Sequence, residues 1–267
     1  MKVYDDKVAV ITGAGSGIGR ALAQQLAGRG ARLALSDVSE EGLAETVGSC
    51  GLKTEVRGYR LDVSDREAVF AHADAVQRDF GTAHFVFNNA GVSIAATVEH
   101  ITIEELEWLL GINLWGVIYG TKAFLPMMLA QREGHIVNLS SVFGLVAVPA
   151  QSAYHISKFA VRGFTECLWR ELEGTGVTAT SVHPGGIKTN IEKSAPLGKF
   201  AGDVEKAVMA SVARSLVTTP EECASDILRG VARGERRILT GKNSSIVDLV
   251  SRLMPRNYGL VLKRFGL

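Results

Sequence analysis

A tyrosine and a lysine four positions apart, Tyr154 and Lys158, are the residues whose types and spacing point most directly to chemistry. In a helix this spacing places both side chains on one face. Free tyrosine has a pKa of about 10 and is a poor base at neutral pH. A nearby ammonium group favours the phenolate, so the pair could carry a proton to or from a reacting oxygen atom.

A glycine-rich segment near the N-terminus could bind phosphate. Residues 12–19 read TGAGSGIG, follow an apolar run directly and lead into a segment of helical spacing. Such glycines let the backbone turn tightly against a pyrophosphate, whose charge the helix N-terminus stabilises. A purely structural turn is the alternative. The residues expected to hold the pyrophosphate are Gly13, Ser16, Gly17, Ile18 and Gly19.

Asp37 stands at the end of the second apolar run, where an acidic side chain can accept hydrogen bonds from the adenosine ribose. The same carboxylate would repel the 2′-phosphate of NADP, and its neighbour Val38 supplies no cation to compensate. NAD(H) is therefore the expected cofactor. The alternative for Asp37 is a solvated residue that begins a turn before Ser39.

The elements that must position these residues follow from the hydrophobic pattern. Short β-branched runs alternate with segments of helical period, which predicts βαβ units. We expect a single-domain α/β fold of Rossmann type, a doubly wound parallel sheet of about seven strands with helices on both faces. The predicted strands are residues 7–12, 32–36, 56–61, 84–88, 135–140, 177–183 and 237–240, and residues 18–27 and 66–80 are predicted helices. Ligands bind such sheets beyond the carboxyl ends of the strands.

The composition is that of one globular domain. The chain has 267 residues, of which 46% are hydrophobic and 21% charged, and no Pro/Ser-rich linker divides it. We expect a dinucleotide-binding and catalytic domain over residues 1–242. Residues 243–267 predict an amphipathic helical extension that packs on the body or on a subunit interface, with a membrane-surface helix as the alternative.

The same composition disfavours several classes of function. A formal net charge of +1 argues against a nucleic-acid surface, and no run of about 18 apolar residues could span a membrane. Cys50, Cys167 and Cys223 lack metal-ligand spacing. We therefore expect that the protein binds no metal and lies in the cytoplasm. Cys167 is expected to be a core residue.

Together, the segment TGAGSGIG and the Tyr154/Lys158 pair resemble the short-chain dehydrogenase/reductase family, and Ser141, thirteen positions before Tyr154, extends the resemblance. It implies that Tyr154 is the acid/base, assisted by Lys158, and that Ser141 binds the substrate oxygen. Ser140 competes for that role, but the spacing favours Ser141. Asn113 matches the family's fourth catalytic residue, whose backbone interrupts a long helix; an ordinary polar helix position is the alternative.

Three further segments match the family: LDV at 61–63, NNAG at 88–91 and PGGIKT at 184–189. The resemblance places Asp62 and Val63 at the adenine, although Asp62 could equally cap a helix that starts near Ser64. It brings Asn89, Ala90 and Gly91 close to the cofactor, with structural support as the more probable role of Asn88 and Asn89. It implies that Pro184, Gly185, Ile187 and Thr189, with Tyr154 and Lys158, hold the nicotinamide end. His155 and His183 are expected to be structural.

The expected function is hydride transfer between NAD(H) and the CH–OH or C=O carbon of a hydrophobic secondary alcohol or ketone. The residues expected to line the substrate pocket are Ser141, Phe143, Val148, Tyr154 and Gly185, with Ile94, Leu197 and Phe200 as further apolar walls and residues 190–213 as a lid. The family implies a homodimer or homotetramer. Two alternatives remain: an NADPH-dependent carbonyl reductase, which Asp37 argues against, and a non-catalytic NAD-binding sensor or scaffold.

Overall fold

Seven parallel strands form the sheet at the centre of the molecule. The computed structural model describes residues 3–51, 54–189, 191 and 196–264. The strands are β1 (Val8–Thr12), β2 (Arg32–Asp37), β3 (Val56–Arg60), β4 (Phe85–Asn88), β5 (Gly134–Leu139), β6 (Val177–Pro184) and β7 (Arg237–Thr240). Their order is β3-β2-β1-β4-β5-β6-β7, and every pair is parallel. The predicted α/β fold is confirmed, and the strand order reverses between β1 and β4.

Helices cover both faces of this sheet. They are α1 (Gly17–Ala27), α2 (Glu40–Ser49), α3 (Arg66–Phe80), α4 (Ile103–Leu110), α5 (Gly116–Gln131), α6 (Ser152–Glu171), α7 (Asp203–Ser215), α8 (Pro220–Ala232), α9 (Ser244–Leu253) and α10 (Tyr258–Arg264). A π-helical segment, Gly111–Trp115, joins α4 to α5, and a 3-10 turn, Val142–Gly144, follows β5. Strand and helix boundaries agree with the predicted ones to within one residue.

Local signals fix where several helices begin. Asp65 caps α3 by accepting the N–H of Ala68. Thr102 and Glu105 form a reciprocal capping box at the start of α4. Each such cap satisfies backbone groups that the helix leaves unpaired and contributes roughly 1 kcal/mol.

The core lies in two layers, one on each face of the sheet. On one face, Leu22 and Leu26 of α1 pack with Ile227 of α8. On the other, Val76 of α3 packs with Phe124 of α5. Central strands are buried on both faces, and all residues of β1 are buried. Burial of each such side chain contributes roughly 1.5–3 kcal/mol to stability.

The C-terminal segment contacts the body of the domain through a small apolar cluster. Val247 of α9 and Leu262 of α10 pack with Val146, which follows β5. The N–H of Ala147 donates to the Tyr258 hydroxyl at 3.2 Å. This segment therefore reaches the loop that follows β5, beside the carboxyl edge of the sheet. None of the described helices is long and apolar enough to cross a membrane.

The expected core position of Cys167 is wrong, because its side chain is exposed. The buried face of α6 is carried by residues at helical spacing that include Lys158, Val161 and Leu168. Cys167 lies off that face, where its Sγ is 3.2 Å from Glu171 one turn later. The apolar composition of the segment concealed which side of the helix faces the core.

Candidate active site

A cleft of about 670 Å³ opens at the carboxyl ends of the strands, within the size range of ligand sites. It lies where the strand order reverses. The predicted site residues that line it are Gly13, Ser16, Gly17, Ile18, Asp37, Asp62, Val63, Asn89, Ala90, Gly91, Ser141, Phe143, Tyr154, Lys158, Pro184, Gly185, Ile187 and Thr189. Residues from seven separate predicted segments thus meet in one cleft.

The glycine loop turns sharply between β1 and α1. Gly13 and Gly17 have φ of 65° and 52°, values that favour glycine. A Cβ on Gly13 would lie 2.8 Å from the Cα of Ala90. Gly19 does not line the cleft: a Cβ there would overlap the Gly13 carbonyl, so it lets α1 pack beneath the loop.

The start of α1 suits an anion. Ser16 is the N-cap residue, has an extended backbone and gives no side-chain cap hydrogen bond to the helix. The first N–H groups of α1 therefore face the cleft beside Gly17 and Ile18. This cradle fits the pyrophosphate of a dinucleotide.

Asp37 closes the same end of the cleft. Its Oδ2 accepts the N–H of Gly15 at 2.8 Å, and its Oδ1 accepts the N–H of Ser39 at 2.9 Å. Both interactions leave carboxylate lone pairs for further donors. The carboxylate thus stands beside the glycine loop, with capacity to accept hydrogen bonds from a ligand in the cleft.

The Asp62 side chain stabilises a turn and does not cap a helix. Its Oδ1 accepts the N–H and the hydroxyl of Ser64 at 2.9 and 2.7 Å. The N-cap of α3 is Asp65. The capping role considered for Asp62 is therefore wrong, because the helix begins one turn further on.

The NNAG segment fastens the ends of three strands together. Asn88 donates through Nδ2 to Asn138 Oδ1 at 2.8 Å, which joins β4 to β5. Asn89 donates through Nδ2 to the carbonyls of Thr12 and Gly13 at 2.9 and 3.1 Å. Both asparagines support the structure, and Asn89 also lines the cleft.

Tyr154 and Lys158 face the cleft from the first turns of α6. The Lys158 Nζ lies 5.4 Å from the centroid of the Tyr154 ring and donates to the Leu139 carbonyl at 3.0 Å. Lys158 is only 3% exposed, and this burial lowers its pKa to about 8. At neutral pH it still carries most of its charge, so an ammonium group stands beside the phenol.

The two neighbouring serines are engaged differently. Ser140 donates its hydroxyl to the Lys158 carbonyl at 2.8 Å. Ser141 accepts the N–H of Phe143 at 3.1 Å, and its own hydroxyl is 3.5 Å from the Pro184 carbonyl. A 3.5 Å contact is long for an O–H donor, so the Ser141 proton is the one available to a substrate oxygen.

Asn113 lies behind the cleft and does not line it. It is fully buried within the π-helical segment. Its Oδ1 accepts the N–H of Val92 at 2.8 Å, and its Nδ2 donates to the Val92 carbonyl at 2.8 Å and to Ser157 Oγ at 3.3 Å. A Cβ on Gly91 would lie 3.2 Å from Asn113 Oδ1 and 3.6 Å from Lys158 Nζ, so these two groups converge on one small residue.

Two buried histidines hold the backbone around the serine. The His183 ring lies 3.0 Å from the Ser141 carbonyl and 3.0 Å from the Ser181 hydroxyl, and burial lowers its pKa to about 3. His155 accepts the N–H of Val148 at 2.9 Å, and its Nδ1 is 2.9 Å from the Phe143 carbonyl. Both rings serve as neutral hydrogen-bonding bridges.

The turn after β6 borders both the glycine loop and the lid helix α7. A Cβ on Gly17 would lie 3.3 Å from the Cβ of Thr189. The N–H of Val217, just beyond α7, donates to the Gly186 carbonyl at 2.9 Å. The turn after β6 therefore packs against the glycine loop on one side and the end of α7 on the other.

The substrate end differs from the predicted one. Val148, Ile94, Leu197 and Phe200 do not line the cleft among the described residues. The backbone N–H of Val148 donates to His155, and Leu197 pairs with Ala95 in a β-bridge. Ile191 and Val212 line the cleft from the predicted lid, and the walls that sequence reasoning missed are Trp108, Arg214, Lys242, Asn243 and Val247. They come from separate elements and carry no local motif.

A buried carboxylate clasps α7 to the body. Glu205 has no exposed surface and accepts the N–H groups of Gly202 at 2.9 Å and Thr97 at 3.1 Å, with His100 Nδ1 at 2.7 Å. The Gly202 hydrogen bond, followed by those of His100 and Thr97, holds the pKa of Glu205 well below its usual range. Residues 190 and 192–195 of the predicted lid lie outside the described residues.

Known proteins with these features were found by sequence and by structure. The family model described as short chain dehydrogenase matches residues 7–199. "Putative oxidoreductase SadH" of Mycobacterium tuberculosis is 48% identical over 262 residues, covering 97% of this chain and 94% of that protein. Human estradiol 17-beta-dehydrogenase 11 is 32% identical over 267 residues, covering 98% and 84%. The structure of a short chain dehydrogenase/reductase from Burkholderia phymatum in complex with NAD has a TM-score of 0.88 and 35% identity, covering 97% and 96%. The chain therefore belongs to the short-chain dehydrogenase/reductase family of oxidoreductases.

Proposed function

We propose that this protein transfers a hydride between NAD(H) and the carbon of a CH–OH or C=O group, with Tyr154 as general acid/base. The observation that carries the proposal is the placement of the buried Lys158 ammonium 5.4 Å from the Tyr154 ring, in the cleft that the glycine loop also lines. When bound, the nicotinamide supplies the hydride or receives it.

Residues of the protein transfer the proton, favour the phenolate and bind the substrate oxygen. Tyr154 takes the proton of a substrate hydroxyl in oxidation and returns it to the oxygen in reduction. The Lys158 ammonium favours the phenolate form through its charge. Ser141 donates a hydrogen bond to the substrate oxygen, which stabilises negative charge developing there. Asn113 holds the backbone of Val92, next to Gly91 and Lys158, and is a positioning residue.

The choice of NAD over NADP rests on Asp37. Its carboxylate borders the cleft where a 2′-phosphate would lie. Arg60, opposite Asp37 on β3, pairs with Glu40 at 3.2 Å, and Arg20 pairs with Glu45 at 2.7 Å and donates to the Gly15 carbonyl at 2.5 Å. A phosphate would meet an uncompensated carboxylate, so the NADPH-dependent reductase is the weaker proposal. A non-catalytic sensor is weaker still, because it would have no need of a buried lysine beside a tyrosine.

The walls of the substrate end support an apolar alcohol or ketone as substrate. Trp108, Phe143 and Val247 are among the apolar side chains that line it. The human relative is named as a dehydrogenase of estradiol, and estradiol is an apolar secondary alcohol.

Exposed apolar side chains on α6 and the π-helical segment support a homodimer or homotetramer. Trp115, Ile156 and Phe159 are each more than 40% exposed. Trp115 lies in the same π-helical segment as Asn113, and Ile156 and Phe159 lie on the same helix as Tyr154. Sedimentation of the purified chain would show a dimer or a tetramer; a monomer at micromolar concentration would contradict this proposal.

A panel of secondary alcohols and ketones, followed by nicotinamide absorbance with NAD(H) and NADP(H), tests the proposed function. We expect turnover of apolar members and higher kcat/KM with NAD(H). Turnover confined to NADP(H), or preference for small, highly charged substrates, would contradict it. Tight NADH binding without turnover of any member would favour the sensor.

A further inference from the structure

Arg214 and Lys242 line the substrate end of the cleft and form no ion pair with any described residue. Arg214, in the last turn of α7, and Lys242, between β7 and α9, both border the cleft and are exposed. Among the residues that the structure describes, neither forms an ion pair. Most of the other described arginines form ion pairs. The Arg214 guanidinium and the Lys242 ammonium are therefore available to bind a ligand.

Both cations flank the same turn after β6. A Cβ on Gly186 would overlap the carbonyl of Ser215, the neighbour of Arg214. A Cβ on Gly241, the neighbour of Lys242, would overlap the Gly185 carbonyl. The Lys242 N–H also donates to Thr218 Oγ1 at 3.1 Å. The two side chains therefore leave the backbone on either side of the Gly185–Gly186 turn.

The charge of the cleft is divided between its ends. The carboxylates among its described lining residues are Asp37 and Asp62, and both belong to the adenosine end. The substrate end carries Lys158, Arg214 and Lys242 without a described acidic group. A long-range field of this kind favours an anion over a neutral or cationic ligand.

Apolar surface separates these cations from the proposed reacting atoms. Phe143 contacts the Tyr154 ring edge-on, with centroids 6.2 Å apart. Val247 packs in a cluster with Phe143. Val247 and Val212, two residues before Arg214, both line the cleft. A ligand that reaches from Tyr154 to the cations must therefore have an apolar middle.

We propose that the substrate is an amphipathic carboxylate, in which an apolar chain joins the carbinol or carbonyl group to an anionic end bound by Arg214 and Lys242. This inference rests on the proposed function and narrows its substrate class. Arg214 and Lys242 are specificity-determining residues, remote from the transferred hydride.

Reduction of oxo acids and of their methyl esters tests this directly. The probes are 7-oxooctanoate, 9-oxodecanoate and 11-oxododecanoate, each below its micellar concentration, because the spacing between the two ends of the ligand is the variable. In at least one pair, kcat/KM with NADH should be about tenfold higher for the acid than for the ester. An exposed ion pair changes an equilibrium by up to about fivefold, so Arg214→Gln and Lys242→Gln should each lower the acid value by about threefold to fivefold. About 0.5 M NaCl should reduce the preference.

Lys188→Gln is the matched control, because Lys188 is an exposed cation on the same turn that does not line the cleft. It should keep the preference for the acid. Equal values for acid and ester in the wild type would overturn the proposal, as would losses that affect both equally. A rise in the Kd of NADH in the glutamine variants would overturn it too, because it would assign the cations to the cofactor.

A binding measurement separates this inference from the proposed function. If neutral ketones are reduced but the acids gain nothing, the proposed function stands and the anion site is wrong. If no ketone is reduced, calorimetric binding of 11-oxododecanoate to the complex of enzyme and NAD⁺ decides. Weaker binding in the double variant than in the wild type would support the anion site, whereas equal or absent binding would refute it.

Discussion

The two ends of the cleft are built in different ways. At the adenosine end, two successive βα loops bond to each other: Asp37 accepts the N–H of Ser39 in its own loop and that of Gly15 in the glycine loop. At the substrate end, Trp108 of α4, Val212 of α7 and Val247 of α9 meet from three distant segments. The first end keeps its shape through hydrogen bonds within and between two adjacent loops, whereas the second depends on how α7 and α9 pack on the body.

This difference assigns separate tasks to the two ends. A preformed loop binds a cofactor common to many enzymes without reorganising. Walls on separate helices can change shape and composition without disturbing that loop. Tyr154 and Lys158 lie on α6, between the two ends of the cleft. Substitution of either residue should therefore lower the rate of the reaction itself.

Replacing the ammonium group between the ends should have the largest effect. In Lys158→Met, the loss of the charge beside Tyr154 should lower kcat by about 10²–10⁴-fold, measured by nicotinamide absorbance. The same change should raise the Tm of the cofactor-free protein at neutral pH. Burial lowers the pKa of Lys158 to about 8, so folding disfavours its charged form, and each pKa unit costs about 1.4 kcal/mol. The lost hydrogen bond to Leu139 offsets roughly 1 kcal/mol of the gain.

The pH dependence of the Tm difference between Lys158→Met and the wild type tests whether burial of the charged lysine destabilises the fold. The penalty on Lys158 is full below pH 8 and declines as the pH rises toward the unfolded value of about 10.4. The stability advantage of Lys158→Met should therefore shrink over that interval. The exposed Lys122 on α5 supplies the control variant Lys122→Met, which should show no such trend. A lower Tm for Lys158→Met at neutral pH would contradict the burial argument.

Breaking the adenosine end should change cofactor choice without changing the chemistry. Charged hydrogen bonds contribute roughly 1.5–3 kcal/mol, so Asp37→Ala should lower the NADH to NADPH ratio of kcat/KM by about 10- to 100-fold. Asp62→Asn is the matched control at the same end, and it should leave the ratio unchanged, since both cofactors share the adenine. An unchanged ratio in Asp37→Ala would remove Asp37 from cofactor selection.

Loosening the substrate end should have the smallest effect. Glu205→Gln removes the carboxylate that clasps α7 through Thr97 and His100, so we expect a lower Tm and a few-fold higher KM with an unchanged Kd for NADH. The lowered pKa of Glu205 stabilises the fold above the unfolded value of about 4.3 and loses this effect as the pH falls below it. The difference in Tm should therefore decline in acid.

Glu222→Gln is the control for this clasp. Glu222 closes the capping box of α8 with Thr219 but is exposed. Its replacement should leave KM unchanged. If both variants raise KM equally, or if Glu205→Gln weakens NADH binding, the two ends of the cleft are not independent.

Sequence reasoning was strongest where function depends on short-range spacing. The turn at Gly13 and Gly17, the acidic residue that ends β2 and the i, i+4 pair on α6 follow from local backbone geometry. The parallel sheet follows from the alternation of apolar runs and helical segments. These features need no knowledge of distant contacts, because neighbours in sequence determine them.

Sequence reasoning was wrong where contacts between distant segments determine the position of a side chain. Val148 is apolar and is expected in the pocket, but its backbone is bonded to His155 and it does not line the cleft. Trp108, Arg214 and Val247 went unnoticed because only the tertiary fold brings α4, α7 and α9 together. Cys167 was misplaced because an apolar segment does not reveal which helix face is buried. The clasp at Glu205 has no sequence signal beyond its capping position.

The turnover of Tyr154→Phe with an apolar ketone and NADH tests the central claim most directly. Removal of one hydroxyl preserves the ring that packs on Phe143 and takes away only the proton that the mechanism transfers. We predict that kcat falls by at least about 10²–10⁴-fold, while the calorimetric Kd of NADH changes by less than about twofold, within ~0.4 kcal/mol. A variant that binds NADH normally and retains substantial kcat would contradict the assignment of Tyr154 as the acid/base.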